Sequence, residues 1–318
     1  MKSSGKWFLR FEAVMAILVL LLAVIMQVKN NKAPVRISVL IQNSEDNQWA
    51  AFRYGLKMAA QDQEVELVIV STGETLTQEE VVRAAAQEIA QGADAVLLQP
   101  VSGIFEKDLK KLQKKVPVML IESGQNADGV PCVQPDHEAM GRALAQEIQK
   151  DFGGSLSDKT IGILSETEQT EASQGRRKGF EEVLQDTGAK IRWIVSASLE
   201  ETGENFLKDQ PAVNLIVAMD DHSLITAGKD SESNNLHGAL VYGIGNSTDA
   251  VYGLDIGAVE CLVVPDTFDM GYQSLTQTAQ SLIHHTQKME SRMVSYTVMH
   301  REELFSEKNQ EILFTMSQ

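Results

Sequence analysis

Side chains able to bind a polar molecule stand directly after several apolar runs of the sequence. Most carry carboxylates or amides, and they are Asp46, Asn47, Glu122, Glu166, Asp220, Asp221 and Asp266. Trp49 adds an aromatic ring near the first run, and Arg176 is the one well-placed cation. Carboxylates, amides and guanidinium form directional hydrogen bonds to hydroxyl groups, and an indole ring stacks on the C–H face of a sugar. The set predicts a binding site for a polyhydroxylated ligand.

Each of these residues also has an ordinary structural explanation. Asp46 and Asp136 precede predicted helices, where aspartate commonly caps the first turn. Trp49 could instead be a core residue of its predicted helix. Arg176, which begins a run of three cations at residues 176–178, would equally be a solvated surface charge. The sequence alone leaves both interpretations open.

The sequence lacks the motifs of common enzymes and cofactor binders. Gly243 and Gly245 follow an apolar run, but Thr248 stands where a dinucleotide-binding loop has its third glycine. No phosphate-binding loop with Lys-Ser or Lys-Thr and no Gly-x-Ser-x-Gly elbow is present. Cys132 and Cys261 lie in apolar runs, where a buried thiol is the usual outcome and a disulfide between them is the alternative. We predict a protein that is not an enzyme and that uses no cofactor.

The histidines do not have the spacing of a metal site. His284 and His285 are adjacent, so on a helix they point in different directions. His137 and Glu138 lack the second histidine of a zinc-binding helix. We therefore predict no bound metal.

The charge balance excludes nucleic acid as a partner. The chain has 318 residues with 28 Lys and Arg against 44 Asp and Glu, which gives a net charge of −16. Binding along a nucleic acid requires the opposite sign, because Lys and Arg neutralise its phosphates. With 43% hydrophobic and 23% charged residues, the composition is that of a folded globular protein, and the length favours two lobes over one.

The first 32 residues differ from the rest of the chain. Lys2, Lys6 and Arg10 precede the continuously apolar run Ala13–Met26, which is the layout of a secretory or membrane-anchoring segment. No small-x-small cleavage site follows the run, so we expect an uncleaved membrane anchor over residues 7–28, with a cleaved signal peptide as the alternative. The remaining chain would then lie on the extracytoplasmic face, at the cell surface or in the periplasm.

Apolar runs of strand length alternate with helical segments along the remaining sequence. The predicted strands cover residues 35–41, 65–70, 95–98, 117–121, 130–133, 159–164, 191–196, 213–218, 239–244, 259–264 and 293–299. The clearest predicted helices cover residues 77–90, 138–150, 173–185 and 270–288. A polar tail follows residue 299. Strands joined by crossover helices form parallel sheets, and two sheets are needed for so many strands. Ligands of such sheets bind at the carboxyl ends of the strands.

Several short motifs follow one another in a fixed order. They are Arg36–Trp49 followed by Gly55, Gln91–Pro100, Val116–Ile121, Val133–Gly141, Gly175–Phe180, Ala218–Asp221 and Val241–Gly245. In this order they resemble the type I periplasmic sugar-binding proteins, which include the ribose- and galactose-binding proteins and are related to the effector domains of lactose-repressor-like regulators. No single motif is specific, but the ordered set covers nearly all of the chain after residue 34.

The resemblance implies an α/β fold of two doubly wound parallel-sheet lobes, joined by three crossovers and closing on a ligand like a hinge. The first lobe would hold residues 33–134 and 267–289, and the second would hold residues 135–266 and 290–318. A signal anchor and linker at residues 1–32 would precede them.

The resemblance also implies which side chains bind the ligand. They are the aromatic Trp49, the second-lobe cation Arg176, the acceptor Asp221, and the crossover residues Asp136 and Asp266. The strand ends add Asp46, Asn47 and Glu122 to this predicted site.

Two positions depart from the pattern of the sugar binders. Glu122 and Ser123 stand where many members have Asp-Arg, and Asp220 stands where they have asparagine. These exchanges remove a cation and add acid, so a cationic or amino-bearing ligand becomes an alternative to a neutral sugar.

The predicted function is that of an extracytoplasmic solute-binding protein for a small polar ligand, most simply a carbohydrate. Such a protein would pass the ligand to an ABC-type permease or report it to a membrane sensor such as a histidine kinase. The alternative from another class is a ligand-free protein-interaction or sensor-accessory module on the same fold.

Overall fold

The computed structural model describes most of the chain after residue 32 and a few positions before it. The described residues are 14–17, 19–20, 33–73, 77–100, 106–124, 129–166, 170–196, 206–284 and 287–318. Contacts divide the chain into two compact units, Met1–Val35 and Arg36–Gln318, and both sheets belong to the second. The predicted anchor at residues 7–28 lies almost entirely outside the described residues, and within them no helix is long and apolar enough to cross a bilayer.

Strands and helices alternate along the second unit. The strands are β1 (Arg36–Ile41), β2 (Glu66–Ser71), β3 (Ala95–Leu98), β4 (Val118–Ile121), β5 (Cys132–Pro135), β6 (Thr160–Ser165), β7 (Lys190–Ser196), β8 (Leu215–Ala218), β9 (Leu240–Ile244), β10 (Cys261–Pro265), β11 (Arg292–Val294) and β12 (Tyr296–His300). The helices are α1 (Ala50–Asp62), α2 (Gln78–Ala90), α3 (Glu106–Gln113), α4 (His137–Asp151), α5 (Glu171–Leu184), α6 (Asp221–Glu232), α7 (Thr248–Asp255), α8 (Thr267–Ile283) and α9 (Glu307–Met316).

The strands form two six-stranded sheets. The first has the order β11-β5-β4-β3-β1-β2 and is parallel throughout. The second has the order β12-β10-β9-β8-β6-β7 and is parallel except for β12, which runs antiparallel to β10. The prediction of two parallel-sheet α/β lobes is confirmed.

Helices cover both faces of the first sheet. Leu98 and Leu120 pack with Leu109 of α3 on one face. Met119 points to the opposite face, because successive side chains of a strand alternate, and there its sulfur lies 3.8 Å from the hydroxyl of Thr278 in α8. Strands buried on both faces are apolar at every position, which explains why β3 and β4 are continuous hydrophobic runs.

The predicted last strand, residues 293–299, is split between the two sheets. β11 pairs with β5 in the first sheet, and β12 pairs with β10 in the second. Ser295 lies between the two strands, and its carbonyl accepts the backbone N–H of Asp266 at 2.9 Å. The strand β11 therefore belongs to the first sheet, although the predicted lobe boundary at residue 290 assigned it to the second lobe. The predicted polar tail ends in helix α9, which buries Thr315 and Met316.

Glycines allow two helices to cross closely in each half of the fold. A Cβ on Gly141 of α4 would overlap the carbonyl of Arg176 in α5, and a Cβ on Gly179 would overlap the carbonyl of Glu138. The helices α1 and α8 meet in the same manner at Gly55. The close crossing of α4 and α5 sets the distance between Arg176 in α5 and the start of α4.

Cys132 and Cys261 are both free and buried, so the alternative of a disulfide between them is wrong. Each begins a strand, Cys132 in the first sheet and Cys261 in the second. Burial raises the pKa of the Cys132 thiol and raises that of Cys261 to about 12. Neither thiol is therefore ionised at neutral pH.

Candidate functional site

Loops at the carboxyl ends of the two sheets contact one another directly. The side-chain amide of Asn246, after β9, donates to the carbonyl of Gln48 at 2.5 Å. The backbone N–H of Gly124, after β4, donates to the carboxylate of Glu171 at the start of α5 at 2.9 Å. The polar strand-end residues thus line one junction between the two sheets, and the protein is in a closed arrangement.

Glu122 lies at the inner part of this junction. It follows β4 with a φ of 68°, in the left-handed region that few residues other than glycine adopt. Its carboxylate accepts a hydrogen bond from the amide of Gln99 at 2.6 Å, and its carbonyl lies 2.6 Å from Nε2 of His137. Burial raises the pKa of Glu122, while the charge of Arg176 opposes the shift.

His137 joins the first sheet's loop to Arg176. Its Nε2–H donates to the Glu122 carbonyl, and its Nδ1 accepts the Nε–H of Arg176 at 3.3 Å. Both bonds require the neutral ring with its proton on Nε2. Burial and the neighbouring guanidinium favour the neutral ring, since they lower the pKa of His137 to about 3.

Arg176 is buried, with 8% of its surface exposed, so the interpretation of a solvated surface charge is wrong. Besides its bond to His137, its guanidinium donates to the carbonyl of Met219 at 2.9 Å. Burial lowers the pKa of Arg176, and the charges of the neighbouring carboxylates oppose that shift, these being Glu122, Asp220 and Asp221. A guanidinium has five N–H groups, and these two bonds use only two of them.

Two adjacent aspartates begin helix α6 beside Arg176. Asp220 caps the helix, its carboxylate accepting the N–H of Ser223 at 2.9 Å and the N–H of Glu166 at 2.7 Å. Asp221 is only 3% exposed, and its Oδ1 accepts the N–H groups of Asn246 and Ser247 at 2.7 and 2.9 Å. Its Oδ2 is buried with no hydrogen-bond partner among the described residues. Burial raises the pKa of both carboxyl groups.

His222 bridges the two sheets at the outer part of the junction. Its Nε2 lies 2.7 Å from the carboxylate of Asp46, after β1, and its Nδ1 lies 3.2 Å from that of Glu166, after β6. Hydrogen bonds to these two carboxylates raise the pKa of His222 to about 11, and the pKa of Asp46 is lowered in turn. The imidazole is therefore protonated at neutral pH and binds a carboxylate on each side of the junction.

We expect His222→Gln to open the junction, because glutamine keeps neutral hydrogen bonding and removes the charge that Asp46 and Glu166 bind. A partly exposed charge pair is worth about 1 kcal/mol, so the ratio of closed to open molecules should fall about fivefold. The contribution of His222 is complete below its unfolded pKa of 6.5 and is lost as the pH rises through about 11.

Small-angle X-ray scattering of the ligand-free chain checks this expectation, with a larger radius of gyration in the variant. His300→Gln is the matched control, since His300 binds Glu147 at 2.9 Å within the elements of the second sheet. Equal scattering from the wild type and both variants would contradict the role of His222.

The remaining predicted residues take other places in the structure. Asn47 donates to the carboxylate of Asp249 in α7 at 3.4 Å. Trp49 is 4% exposed and packs edge-to-face on Phe52 with ring centroids 5.5 Å apart, which agrees with a core residue of this turn. The turn Asn47–Trp49 itself precedes α1 and packs against α7, which belongs to the second sheet's side of the junction.

Asp136 and Asp266 serve as helix caps at the crossovers between the sheets. Asp136 accepts the N–H of Ala139 at 2.9 Å, and Asp266 accepts the N–H of Asp269 at 2.9 Å. The carboxylate of Asp266 also accepts the hydroxyl of Ser295 at 3.4 Å. These contacts fix the first turns of α4 and α8. Helix capping therefore explains the position of Asp136, and contact of Asp136 or Asp266 with a ligand stays a prediction.

The structure therefore brings Glu122, Arg176 and Asp221 together and places Asp46 at the outer part of the same junction. Sequence reasoning missed His137 and His222, because it tested histidines only against the spacing of metal sites. Their positions directly after a strand end, at the start of α4 and α6, were the available signal. Over the ranges that the structure describes, no three His, Cys, Asp or Glu side chains are grouped to hold a metal ion.

Comparison with known families identifies the group to which the chain belongs. Residues 37–285 match the family of the periplasmic binding protein domain. The chain is a member of this family. The resemblance drawn from the ordered strand-end motifs is thus confirmed. No match to the chain was found among curated proteins.

Solved structures agree on the fold. A carbohydrate-transporter solute-binding protein from Agrobacterium radiobacter, solved with D-arabinose, is 19% identical with a TM-score of 0.79, over 89% of this chain and 99% of that one. The glucose-galactose binding protein GanP from Geobacillus stearothermophilus is 18% identical with a TM-score of 0.75, over 86% and 100%. XylFII in its complex with LytSN is 14% identical with a TM-score of 0.73, over 85% and 99%.

Proposed function

We propose that the chain is an extracytoplasmic solute-binding protein whose two lobes close on a small carbohydrate. The observation that carries the proposal is the buried cluster of Glu122, Arg176 and Asp221, which unites the carboxyl ends of both sheets. Similar structures include one protein solved with D-arabinose and another solved with D-fucose. The proposal assigns no reaction to the chain.

The cluster has the chemistry that a carbohydrate requires. Sugar hydroxyls donate to the carboxylates of Glu122 and Asp221 and accept from the free N–H groups of Arg176. Closure of the lobes excludes water, which strengthens these hydrogen bonds. Trp49 would offer its aromatic ring for stacking on the sugar, and Asp136 and Asp266 cap the helices that follow two of the crossovers.

The proposal also covers the setting of the protein in the cell. Residues 7–28 would anchor the chain, and the lobes would lie outside the membrane. Similar structures include solute-binding components of ABC transporters, and XylFII is solved in complex with another protein, LytSN. The protein would therefore serve either an ABC permease or a membrane sensor such as a histidine kinase, and loss of sugar uptake after deletion of the permease would favour transport.

A thermal-shift screen of the full chain tests the proposal, in a detergent that has no sugar headgroup. The panel holds D-arabinose, D-galactose, D-glucose, D-xylose and D-fucose. A ligand present at about 100 times its Kd adds about 2.7 kcal/mol to the stability of the folded state, which should raise the Tm by about 5 °C. The L-enantiomers are the matched control, because they change the solvent equally.

A rise for one member of an enantiomeric pair and none for the other is the expected result. If no sugar raises the Tm more than its enantiomer does, the carbohydrate proposal is wrong. The direct contacts across the junction, made by His222 and Asn246, would then favour a ligand-free interaction module.

A further inference from the structure

We propose that the ligand carries a protonated amino group, as an amino sugar does, and that Oδ2 of Asp221 accepts one of its N–H groups. This inference rests on the proposed carbohydrate-binding function. It concerns the chemical class of the ligand, and it is argued from the charges and the hydrogen bonds of the closed junction.

The inner part of the junction has more negative than positive charge. Three carboxylates act on the one guanidinium of Arg176, namely Glu122, Asp220 and Asp221. No carboxylate of the described ranges lies within ion-pair distance of that guanidinium, whose bonds go to His137 and the carbonyl of Met219. The other cation of the junction, His222, binds Asp46 and Glu166. One further positive charge at the centre would therefore stabilise the closed form.

The hydrogen bonds of the carboxylates show which of them is available to a ligand. Both oxygens of Asp220 accept backbone N–H groups, from Ser223 and Glu166. The Oδ1 of Asp221 accepts two backbone N–H groups, and a hydrogen bond from the side chain of Ser247 also acts to lower the pKa of the Asp221 carboxyl group. The Oδ2 of Asp221 is buried and has no hydrogen-bond partner in the part of the chain that the structure describes, and an unpaired buried oxygen of this kind destabilises the folded state.

Protonation of Asp221 would not remove this cost. A proton on Oδ2 turns the acceptor into a donor, which then requires an acceptor of its own. A neutral hydroxyl of a sugar would satisfy the hydrogen bond and leave the excess charge. An ammonium group supplies the donor and the positive charge together, and its hydrogen bond to a carboxylate is stronger than a neutral one.

Isothermal titration of the full chain with matched sugar pairs tests the inference. The pairs are D-glucosamine with D-glucose and D-galactosamine with D-galactose, and N-acetyl-D-glucosamine has the same substitution without the charge. A charged hydrogen bond predicts that one amino sugar binds at least about tenfold more tightly than its neutral partner. At about pH 9.5, where the amine has lost its proton, this preference should disappear.

Asp221→Asn adds a test at the residue itself. Asparagine keeps the Oδ1 acceptor for Asn246 and Ser247 and replaces the free oxygen by a donor. We expect about a tenfold loss of affinity for the amino sugar and a smaller loss, of about threefold, for the neutral sugar, because its hydroxyl loses an acceptor but no charge partner. Glu122→Gln should weaken amino-sugar binding as well, because it removes a second negative charge, and an unchanged far-UV spectrum confirms folding of both variants.

Two failures are distinguishable. If a neutral sugar binds as tightly as its amino counterpart, the inference is overturned and the carbohydrate-binding function stands. If neither the neutral sugars nor the amino sugars bind, the proposed function itself is overturned. Equal loss of both ligands in Asp221→Asn would also overturn the assignment of Oδ2.

Discussion

Arg176→Ala is expected to lower the free energy of unfolding by about 3 kcal/mol and to abolish sugar binding. The guanidinium is the cation on which Glu122, Asp220 and Asp221 act, and all of these side chains are buried or nearly so. Removal of a buried cation leaves its carboxylates without compensation, which costs more than the lost contacts alone. The carbonyl of Met219 and the ring of His137 would also lose their donors.

Urea denaturation measures the stability difference, and titration with the sugar found in the thermal-shift screen measures binding. Arg177→Ala is the matched control on the same helix, because the side chain of Arg177 is partly exposed and binds Glu181 at 2.7 Å. An exposed ion pair contributes about 0.2–1 kcal/mol, so this control should remain close to the wild type. Equal stability of the two variants would contradict the central position of Arg176.

Gly141→Ala is expected to destabilise the protein by about 2 kcal/mol, although alanine favours a helix over glycine by about 1 kcal/mol. The new Cβ would overlap the carbonyl oxygen of Arg176 and would approach the nitrogen of Phe180 to 2.9 Å. Because both are backbone atoms, helices α4 and α5 must separate. The guanidinium of Arg176 would move with α5, so ligand affinity should fall together with stability.

Gly228→Ala is the control for helix propensity. Gly228 lies inside α6, and its new Cβ would meet only Val259, at an ordinary contact distance of 3.6 Å. This variant should gain up to about 1 kcal/mol. Thermal unfolding of both variants by circular dichroism distinguishes the two effects, and a Gly141→Ala protein as stable as Gly228→Ala would show that the close crossing does not constrain the fold.

Local signals account for most of what the sequence predicted about the fold. The runs at residues 95–98 and 117–121 are apolar throughout because both faces of β3 and β4 are covered. The capping box of Thr77 and Glu80 was predicted from spacing alone, and both of its reciprocal hydrogen bonds are present. Such features depend on neighbours in sequence, so they can be predicted without the fold.

Features that depend on distant parts of the chain were not predictable in the same way. The division of residues 293–299 between two sheets requires knowledge of their partners β5 and β10. Helix α9 has exposed charges and a narrow buried face, and its sequence is typical of a solvated tail. Its order comes from packing against the core of the second sheet, where Met316 is buried.

The candidate site likewise has residues that the sequence could predict and contacts that it could not. Glu122 and Asp221 follow strand ends, so topology predicted that they lie at the same edge of the fold, whereas Arg176 lies inside α5 and was assigned to the site by the family resemblance. The bridge of His222 between Asp46 and Glu166 joins residues far apart in sequence, and nothing local to His222 indicates its partners. The closed arrangement of the two sheets is what makes this bridge.

Hydrogen–deuterium exchange of the full chain, with and without a mixture of the five D-sugars of the panel, tests the central claim most directly. Binding between the lobes should slow exchange at the amides that follow strands of both sheets, namely Glu122–Gly124, Met219–Ser223 and Gly245–Ser247. Protection confined to one sheet, or to the surface groove between α1 and β2 lined by Lys57, Ala60 and Leu67, would contradict a ligand held at the junction.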